Sequence, residues 1–305
     1  MDRVARPGIR SSAPQAPLDV EVTERGDVAA LATLIGAGQC VLLTGAGMST
    51  DSGIPDYRGP SSARRRHGPM TYQTFVGDPA ARHRYWARSH VGWPSIAGAR
   101  PNAGHRAVAA LARAGLVRGV VTQNVDGLHQ AGGVAADGVV ELHGALHRVL
   151  CLACGALVPR AEVQALLTAL NPEFDAEVAS ATAARANPDG DVELPVAFLD
   201  RFAMTPCPRC GDGPLKPDVV FFGESVPRPR VLRCFDLVAD ARSLVVLGSS
   251  LTVMSGLRFV HAAERAGTPL GVVTAGPTRA ERQATVRLDA PLGRVLPALV
   301  SMLGC

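Results

Sequence analysis

The sequence predicts an α/β protein with a doubly wound parallel sheet and a smaller second domain formed by insertions. Three observations predict it: short continuous apolar runs, helix-like segments between those runs, and two Cys-x-x-Cys pairs far apart in the chain. Continuous apolar runs are typical of strands buried on both faces of a parallel sheet. Their alternation with helices is typical of a doubly wound fold.

Length and composition exclude several classes of protein. With 305 residues, 47% hydrophobic and 19% charged, the chain is too apolar to be disordered throughout and has ample material for a core. The formal charge of +4 is too small to indicate nucleic acid as a specific partner. No apolar stretch approaches the length of a signal peptide or of a membrane span, so we expect a cytoplasmic protein that does not bind membranes. We expect a monomer.

Four apolar runs are predicted to be strands of the sheet: Cys40–Leu43, Gly119–Val121, Leu244–Leu247 and Leu270–Val273. Each ends in small or polar residues. In a doubly wound sheet, ligands bind beyond the carboxyl ends of the strands, where these polar breaks fall. A fifth run, Asp218–Phe222, has the same character and is predicted to be a similar strand.

Helix-like segments alternate with these runs at Asp27–Ala37, Ala103–Ala114, Arg230–Ala241 and Leu257–Ala266. Gly267 closes the last of them, as expected at the end of a helix. Residues 1–18 are rich in Pro, Ser and Arg and are predicted to be a flexible arm. We assign 19–60, 101–143 and 217–305 to the main domain, and 61–100 and 144–216 to the small one.

A glycine turn follows the first predicted strand, in the run Gly45-Ala46-Gly47-Met48-Ser49. Glycines there let the backbone approach a pyrophosphate, and N–H groups at the next helix start can receive its charge. The continuation, Ser52–Gly59, departs from the G-x-G-x-x-G of hydride-transfer enzymes and counts against a dehydrogenase. A plain strand-to-loop turn is the alternative.

Two further motifs carry polar side chains that suit catalysis. Thr122–His129 places amides and a carboxylate at a strand end, where they can hydrogen-bond an amide-bearing ring and a ribose; an Asx-rich turn is the alternative. His143 follows, and a pKa near neutrality suits it for taking a proton from a hydroxyl. The neighbouring His147 is the competitor, interpreted as mostly structural.

The cysteines form two clips, Cys151 with Cys154 and Cys207 with Cys210, each followed by glycine. Two such clips can close a tetrahedral thiolate site for one structural zinc ion, although the fold must bring them together. A redox role for one pair is the alternative. The stretch Lys216–Glu224 could supply an apolar tunnel wall and an edge for peptide pairing, or be an ordinary core strand.

Taken in order, these motifs closely resemble the sirtuin family from about residue 28 to residue 300. The resemblance implies a Rossmann-type domain, a zinc-binding domain, and a cleft in which NAD and an acylated lysine of a protein meet. It implies His143 as general base, with Gln123, Asn124 and Asp126 at the nicotinamide and ribose. It implies further cofactor contacts at Gly45, Ala46, Gly47, Ser49, Asp56, Tyr57, Arg58, Gly248, Ser249, Ser250, Thr274, Ala275, Gly276 and Leu292, substrate contacts at Val220, Phe221, Phe222, Gly223 and Glu224, and zinc ligands at Cys151, Cys154, Cys207 and Cys210.

Within the family the closer likeness is to class II, the group that includes mitochondrial sirtuin four. The supporting stretches are Arg84–Arg88, Val91–Pro94, Val149–Leu152, Pro188–Val192 and Gly276–Arg279, with Tyr57. The stretch Pro60–Met70 does not follow the class II pattern and carries Arg64–Arg66. These arginines are either a solvated loop or contacts to an NAD phosphate or an acidic acyl chain.

The resemblance implies an NAD-dependent protein-lysine deacylase that yields nicotinamide, O-acyl-ADP-ribose and free lysine. Mono-ADP-ribosyl transfer from NAD to a protein side chain is the alternative, because it shares the first step. A non-enzymatic NAD-sensing protein would leave the set of Gln123, Asn124, Asp126 and His143 idle, and a conventional dehydrogenase lacks its glycine motif.

Overall fold

Six parallel strands form the main sheet of the protein, whose computed structural model describes residues 18, 20–57, 68–181, 187 and 189–305. Their bounds are Cys40–Thr44 for β1, Val117–Thr122 for β2, Val139–Glu141 for β3, Ser243–Leu247 for β7, Leu270–Val273 for β8 and Val286–Leu288 for β9. In spatial order they are β3, β2, β1, β7, β8 and β9. The doubly wound parallel sheet is therefore confirmed.

The strand order reverses beside β1. The chain runs outward from β1 to β2 and β3, and β7 then returns to pair in parallel with the other edge of β1. Strands β8 and β9 continue outward on that side. Such a reversal leaves a crevice beyond the carboxyl ends of the two central strands, because their connections leave in opposite directions.

Helices cover both faces of this sheet, since alternate strand residues point to opposite sides. Leu42, Val120 and Val245 pack in one cluster with α1 (Val28–Gly36), α4 (Ala103–Arg113) and α11 (Leu292–Leu303). The neighbouring strand residues pack in a second cluster with α9 (Arg228–Ala239) and α10 (Met254–Arg265). The short helix α5 (Leu128–Ala131) follows β2. The four predicted helices are confirmed, whereas α11 was not predicted as a helix.

A three-stranded antiparallel sheet forms the second layered unit, and its strands are β4 (Gly144–Cys151), β5 (Leu157–Pro159) and β6 (Leu215–Val219). Their spatial order is β5-β4-β6. The sheet packs with α2 (Tyr72–Gly77), α3 (Pro79–Gly98), α6 (Arg160–Leu170), α7 (Phe174–Ala181) and α8 (Val196–Leu199) around a separate apolar core. The small unit thus has its own hydrophobic cluster.

A buried arginine, which has no carboxylate partner among the described residues, joins helices of the small unit. The guanidinium of Arg160 lies 4.9 Å from the ring centroid of Trp86 and 5.0 Å from that of Trp93. It donates to the Ser89 hydroxyl at 2.9 Å and to the Gln164 side-chain oxygen at 2.7 Å. Burial lowers the pKa of Arg160 to about 10, so it stays charged at neutral pH. The aromatic faces and these acceptors compensate the buried charge.

The prediction of a parallel-sheet strand at Asp218–Phe222 is wrong. The strand there is β6, which ends at Val219 and pairs antiparallel with β4 in the small sheet. Along this run Val219 and Phe221 are buried whereas Asp218, Val220 and Phe222 are half-buried, so its apolar character alone did not distinguish it from a strand buried on both faces. Strands β3 and β9 were missed because three residues are too few for a pattern to stand out.

The predicted N-terminal arm lies outside the described residues, apart from Leu18. Across the described ranges, no helix has both the length and the apolar character needed to cross a bilayer.

Candidate active site

A cavity of about 450 Å³ lies beyond the carboxyl ends of β1, β2, β7 and β8. This volume suits a cofactor-sized ligand. Most of the residues that the sequence singled out line this cavity, namely Gly45, Ala46, Gly47, Asp56, Tyr57, Gln123, Asn124, His143, Val220, Phe221, Phe222, Gly248, Ser249, Ser250, Thr274, Ala275, Gly276 and Leu292. The reversal of strand order therefore brings together segments more than 200 residues apart.

Two glycine turns press against each other on one wall of the cavity. A Cβ atom on Gly45 would lie 2.7 Å from Cβ of Ser249 and 2.9 Å from the carbonyl oxygen of Gly248. Gly248 itself has φ of 64°, and a Cβ atom there would lie 2.7 Å from the backbone of Gly47 and Met48. Only glycine fits this contact, which leaves exposed backbone for a phosphate-bearing ligand.

We expect Gly248→Ala to weaken cofactor binding strongly. The new methyl group would push the two turns apart and would also strain a left-handed residue, which costs about 1–2 kcal/mol by itself. The KM for NAD should rise at least about tenfold, and the midpoint of thermal unfolding should fall. Gly267→Ala is the matched control, because Gly267 has φ of 69° and a methyl group there would meet no atom within 4 Å. Equal effects of the two changes on KM would contradict the assignment.

The amides of Gln123 and Asn124 tie three turns together. Asn124 Nδ2 donates to the Gly45 carbonyl at 3.0 Å and to Ser49 Oγ at 3.1 Å. Gln123 Nε2 donates to Ser249 Oγ at 2.9 Å. Neither amide oxygen has a hydrogen-bond partner within the part of the chain that the structure describes. Both oxygens can therefore accept hydrogen bonds from a ligand in the cavity.

Asp126 and Ser49 lie behind the cavity wall rather than on it. Asp126 is buried, and its carboxylate accepts from Ser49 Oγ at 2.6 Å and from the Leu128 backbone N–H at 2.9 Å. A carboxylate with these partners shapes the loop from Gln123 to Leu128. A direct contact of Asp126 with a ribose stays a prediction from the family resemblance.

His143 is held from both sides of its ring. Nδ1 lies 3.0 Å from the carbonyl oxygen of Gln123, and Nε2 lies 2.8 Å from Oγ of Ser255. A carbonyl can only accept, so Nδ1 carries the proton in the neutral ring and Nε2 is the basic nitrogen. The side chain is half-buried, with one edge on the cavity.

The surroundings keep His143 neutral. Burial is the largest cause and lowers the pKa of His143 to about 4, while the hydrogen bond to Gln123 opposes this and the charges of Arg258 and Arg230 add to it. A neutral imidazole with an unprotonated Nε2 is the form that can remove a proton from a hydroxyl.

His147, the other candidate for the general base, points away from the main cavity. It is exposed, its Nε2 lies 2.7 Å from the carbonyl oxygen of Asp126, and its ring packs on Trp93. It lines a second cavity, beside Asp126 and Leu128, and not the main one. Its position fits a structural role.

Part of the lining of the main cavity is apolar. Val220, Phe221 and Phe222 form this part together with Met70 and Val226. Such a wall suits the hydrocarbon part of an acylated lysine. Met70 and Val226 were not predicted, since neither belongs to a recognisable motif.

Gly223 and Glu224 do not line the cavity but support this wall. The Glu224 carboxylate accepts from the Phe221 backbone N–H at 2.8 Å and pairs with Lys216 Nζ at 3.0 Å. Lys216, the only lysine of the chain, is buried and donates also to the Val219 carbonyl at 2.5 Å. This pair fixes the turn that follows β6.

The two cysteine clips meet in space. The Sγ atoms of Cys151, Cys154, Cys207 and Cys210 all lie within 4.8 Å of one another. Cys151 and Cys210 are 3.7 Å apart, and Cys154 and Cys207 are 4.0 Å apart. A tetrahedral zinc site with Zn–S bonds of about 2.3 Å requires sulfur separations of about 3.8 Å. The four thiolates therefore fit a structural metal ion with no open position.

The structure does not describe two sets of residues that were predicted to contact the ligands. Arg58 and Arg64–Arg66 lie outside the described residues, so their predicted contacts to the cofactor or the acyl chain stay predictions.

Comparison with known proteins agrees with this geometry. A family model described as the Sir2 family matches residues 45–255. The chain is 55% identical to NAD-dependent protein deacetylase 1 of Streptomyces coelicolor, over 91% of this chain and 90% of the relative. It is 49% identical to the NAD-dependent protein deacetylase of Xanthomonas campestris pv. campestris, over 85% of each chain.

Solved structures give the same result. One, described as "Structural Basis for the Mechanism and Regulation of Sir2 Enzymes", has a TM-score of 0.69 at 28% identity and covers 91% of this chain and 97% of its own. Another, described as "Sir2-p53 peptide-NAD+", has a TM-score of 0.67 at 26% identity, covering 92% and 99%.

Proposed function

The chain belongs to the Sir2 family, and on that premise we propose that it is an NAD-dependent protein-lysine deacylase. NAD is consumed as a co-substrate, and the partner is an acylated lysine of a protein. The products are nicotinamide, O-acyl-ADP-ribose and the free lysine.

One observation carries the proposal. The neutral His143, the amides of Gln123 and Asn124, the paired turns at Gly45 and Gly248, and an apolar wall all line a single cavity. The turns suit the phosphates, the amides suit the nicotinamide and its ribose, and the wall suits the acyl chain. A cavity that serves two substrates at once is what acyl transfer to NAD requires.

The chemistry proceeds in two stages. Polar groups around the nicotinamide ribose favour loss of nicotinamide, whose ring nitrogen leaves with the bonding electron pair, and the acyl oxygen of the lysine attacks the ribose carbon. His143 Nε2 then takes the proton of a ribose hydroxyl, and the hydroxyl oxygen attacks the acyl carbon. The lysine nitrogen leaves that carbon as an amine and takes the proton that His143 had accepted. A water molecule then adds to the acyl carbon, the bond from that carbon to the oxygen on the first ribose carbon breaks, and one proton goes to solvent, which gives O-acyl-ADP-ribose. Positioning within a dry cleft supplies much of the rate.

The low pKa of His143 predicts an unusual pH profile. A histidine of ordinary pKa, about 6.5, would lose half of its basic form at that pH. With a pKa lowered to about 4, His143 stays neutral and basic at lower pH. We expect the acid limb of kcat/KM to have its midpoint below about pH 5.5, in a range where circular dichroism shows a folded protein. A midpoint near 6.5 would contradict this.

Mass spectrometry of NAD reactions with acetyl, longer-chain, acidic, biotinyl and lipoyl lysine peptides tests the function. Nicotinamide release coupled to one acyl-ADP-ribose product is expected, and it identifies the preferred acyl group. If no peptide is deacylated and protein gains label from adenylate-labelled NAD, mono-ADP-ribosyl transfer is the correct function instead.

The metal is proposed to be one structural zinc ion held by Cys151, Cys154, Cys207 and Cys210. The support is the sulfur separations and the chemistry of four thiolates, which select zinc over harder cations. The ion would hold the small sheet together and takes no part in the reaction.

Membership of class II is proposed on the sequence likeness of its supporting stretches, some of which also contact one another in the structure. Gly92 of Val91–Pro94 packs so closely on Gly190 that a Cβ atom would lie 2.5 Å from the Gly190 carbonyl oxygen. Arg88 pairs with Asp191 at 3.4 Å. These stretches therefore depend on one another physically. The division into two domains, a cytoplasmic location and a monomeric state stay predictions from the sequence.

A further inference from the structure

Ser255 was not singled out in the sequence, yet it makes the closest side-chain contact to His143. It lies in the first turn of α10, is 5% exposed, and lines the main cavity. Its Oγ is 2.8 Å from His143 Nε2, the nitrogen that acts as base. Within the described residues, the Ser255 hydroxyl makes its side-chain hydrogen bond to His143.

We propose that Ser255 is a positioning residue for the base: its hydroxyl holds His143 Nε2 toward the cavity and partners that nitrogen in both protonation states. The inference rests on the proposed function. It adds a residue that positions the proposed base His143, and it does not alter the proposed substrates.

The ring of His143 has two hydrogen bonds at opposite edges, and both depend on the start of α10. Ser255 donates to Nε2. The next residue, Gly256, packs on Gln123 so tightly that a Cβ atom would lie 2.7 Å from its side-chain oxygen. Gln123 in turn presents the carbonyl that accepts from Nδ1 at 3.0 Å. With Gln123 alone, only one edge of the imidazole would be anchored.

A hydroxyl suits this place because it can both donate and accept. It donates to the lone pair of Nε2 while the imidazole is neutral, and the ribose hydroxyl replaces it at that lone pair when NAD binds. When the ribose O–H bond breaks, its proton forms the new Nε2–H bond and its electron pair forms the bond to the acyl carbon. The Ser255 hydroxyl can then rotate and accept from the protonated nitrogen.

A hydrogen-bond acceptor for the protonated imidazole of His143 is important for the reaction, because the surroundings of the ring disfavour its protonated form. Burial and the nearby Arg258 and Arg230 all oppose a positive charge on His143. Removing a hydrogen bond to a buried charged group is expected to slow the step by about 10- to 100-fold. Alanine cannot replace the hydroxyl, whereas threonine keeps it.

Two half-reactions separate this role from a general defect. Exchange of labelled nicotinamide into NAD, in the presence of an acyl-lysine peptide, requires only the first stage and not the base. Formation of O-acyl-ADP-ribose requires His143. We expect Ser255→Ala to keep exchange within about twofold of the unmodified enzyme while product formation falls about 10- to 100-fold.

Ser255→Thr should restore most of the product formation, and Ser301→Ala, at an exposed serine of α11, should change neither rate. A parallel fall of both half-reactions, or no fall in either, would overturn the proposal. If the unmodified enzyme shows neither exchange nor product, the proposed function itself fails.

Nitrogen-15 NMR of the histidine rings tests the contact without any reaction. The unmodified protein should show His143 with a protonated Nδ1 and a hydrogen-bonded Nε2. In Ser255→Ala the Nε2 resonance should move to the position of a free acceptor nitrogen. An unchanged Nε2 resonance would overturn the proposal whatever the activity.

Discussion

His143→Ala should abolish most deacylation while leaving the first stage of the reaction intact. General base catalysis by a positioned side chain contributes about 10²–10⁴-fold, so the rate of O-acyl-ADP-ribose formation should fall by that factor. Exchange of labelled nicotinamide should continue, since the amides and turns that we propose to hold NAD are untouched. The measurement is the two rates on one acyl-lysine peptide.

The matched control is His261→Ala, which removes a half-buried histidine of α10 that pairs with Glu264 at 3.4 Å and lies outside the main cavity. It should leave both rates unchanged. If His143→Ala keeps full deacylase activity, the assignment of the base is wrong. If instead exchange is lost together with deacylation, His143 serves cofactor binding rather than proton transfer.

Loss of the metal site should cause the largest change in stability. Structural zinc contributes about 10–16 kcal/mol of apparent binding free energy in small zinc-binding peptides. Cys151 ends β4 and Cys207 lies in the second clip, just before β6, so their thiolates join the two halves of the small sheet. We expect Cys151→Ser to lose bound zinc, to lower the midpoint of thermal unfolding by at least about 10 °C, and to cut activity at least about tenfold.

Metal content by mass spectrometry checks this directly, with one zinc ion per chain expected for the unmodified protein. Cys305→Ser is the control, because Cys305 is exposed at the end of the chain and lies outside the cluster. Full zinc content and stability in Cys151→Ser would show that the four cysteines do not hold a metal ion. Removal of zinc by a chelator should reproduce the loss of stability.

A motif could be predicted from the sequence where the local structure or chemistry requires one particular residue type. The turns at Gly45 and Gly248 need glycine because their backbones touch, and the paired Cys-x-x-Cys spacing is itself typical of thiolate metal sites. The strands of the main sheet were visible because burial on both faces leaves an unbroken apolar run.

Other features carried no signal in the sequence. The run Asp218–Phe222 resembles a strand of the main sheet, because apolar character does not report which partner strand lies beside a segment. Ser255 is an ordinary helix residue until folding brings it within 2.8 Å of a histidine 112 positions away. The hydrogen bonds that the Asp126 carboxylate accepts from Ser49 and Leu128 also depend on the folded loop, and its contact with a ribose stays a prediction.

By itself the sequence determined the doubly wound fold and the set of chemically competent residues, since hydrophobic pattern and motif spacing are local properties of the chain. Only the tertiary structure decided which histidine faces the cavity, which nitrogen of His143 is basic and which residue partners it. Those properties depend on burial and on hydrogen bonds between segments far apart in sequence. A pKa lowered to about 4 is a property of the surroundings of a histidine and not of the residue.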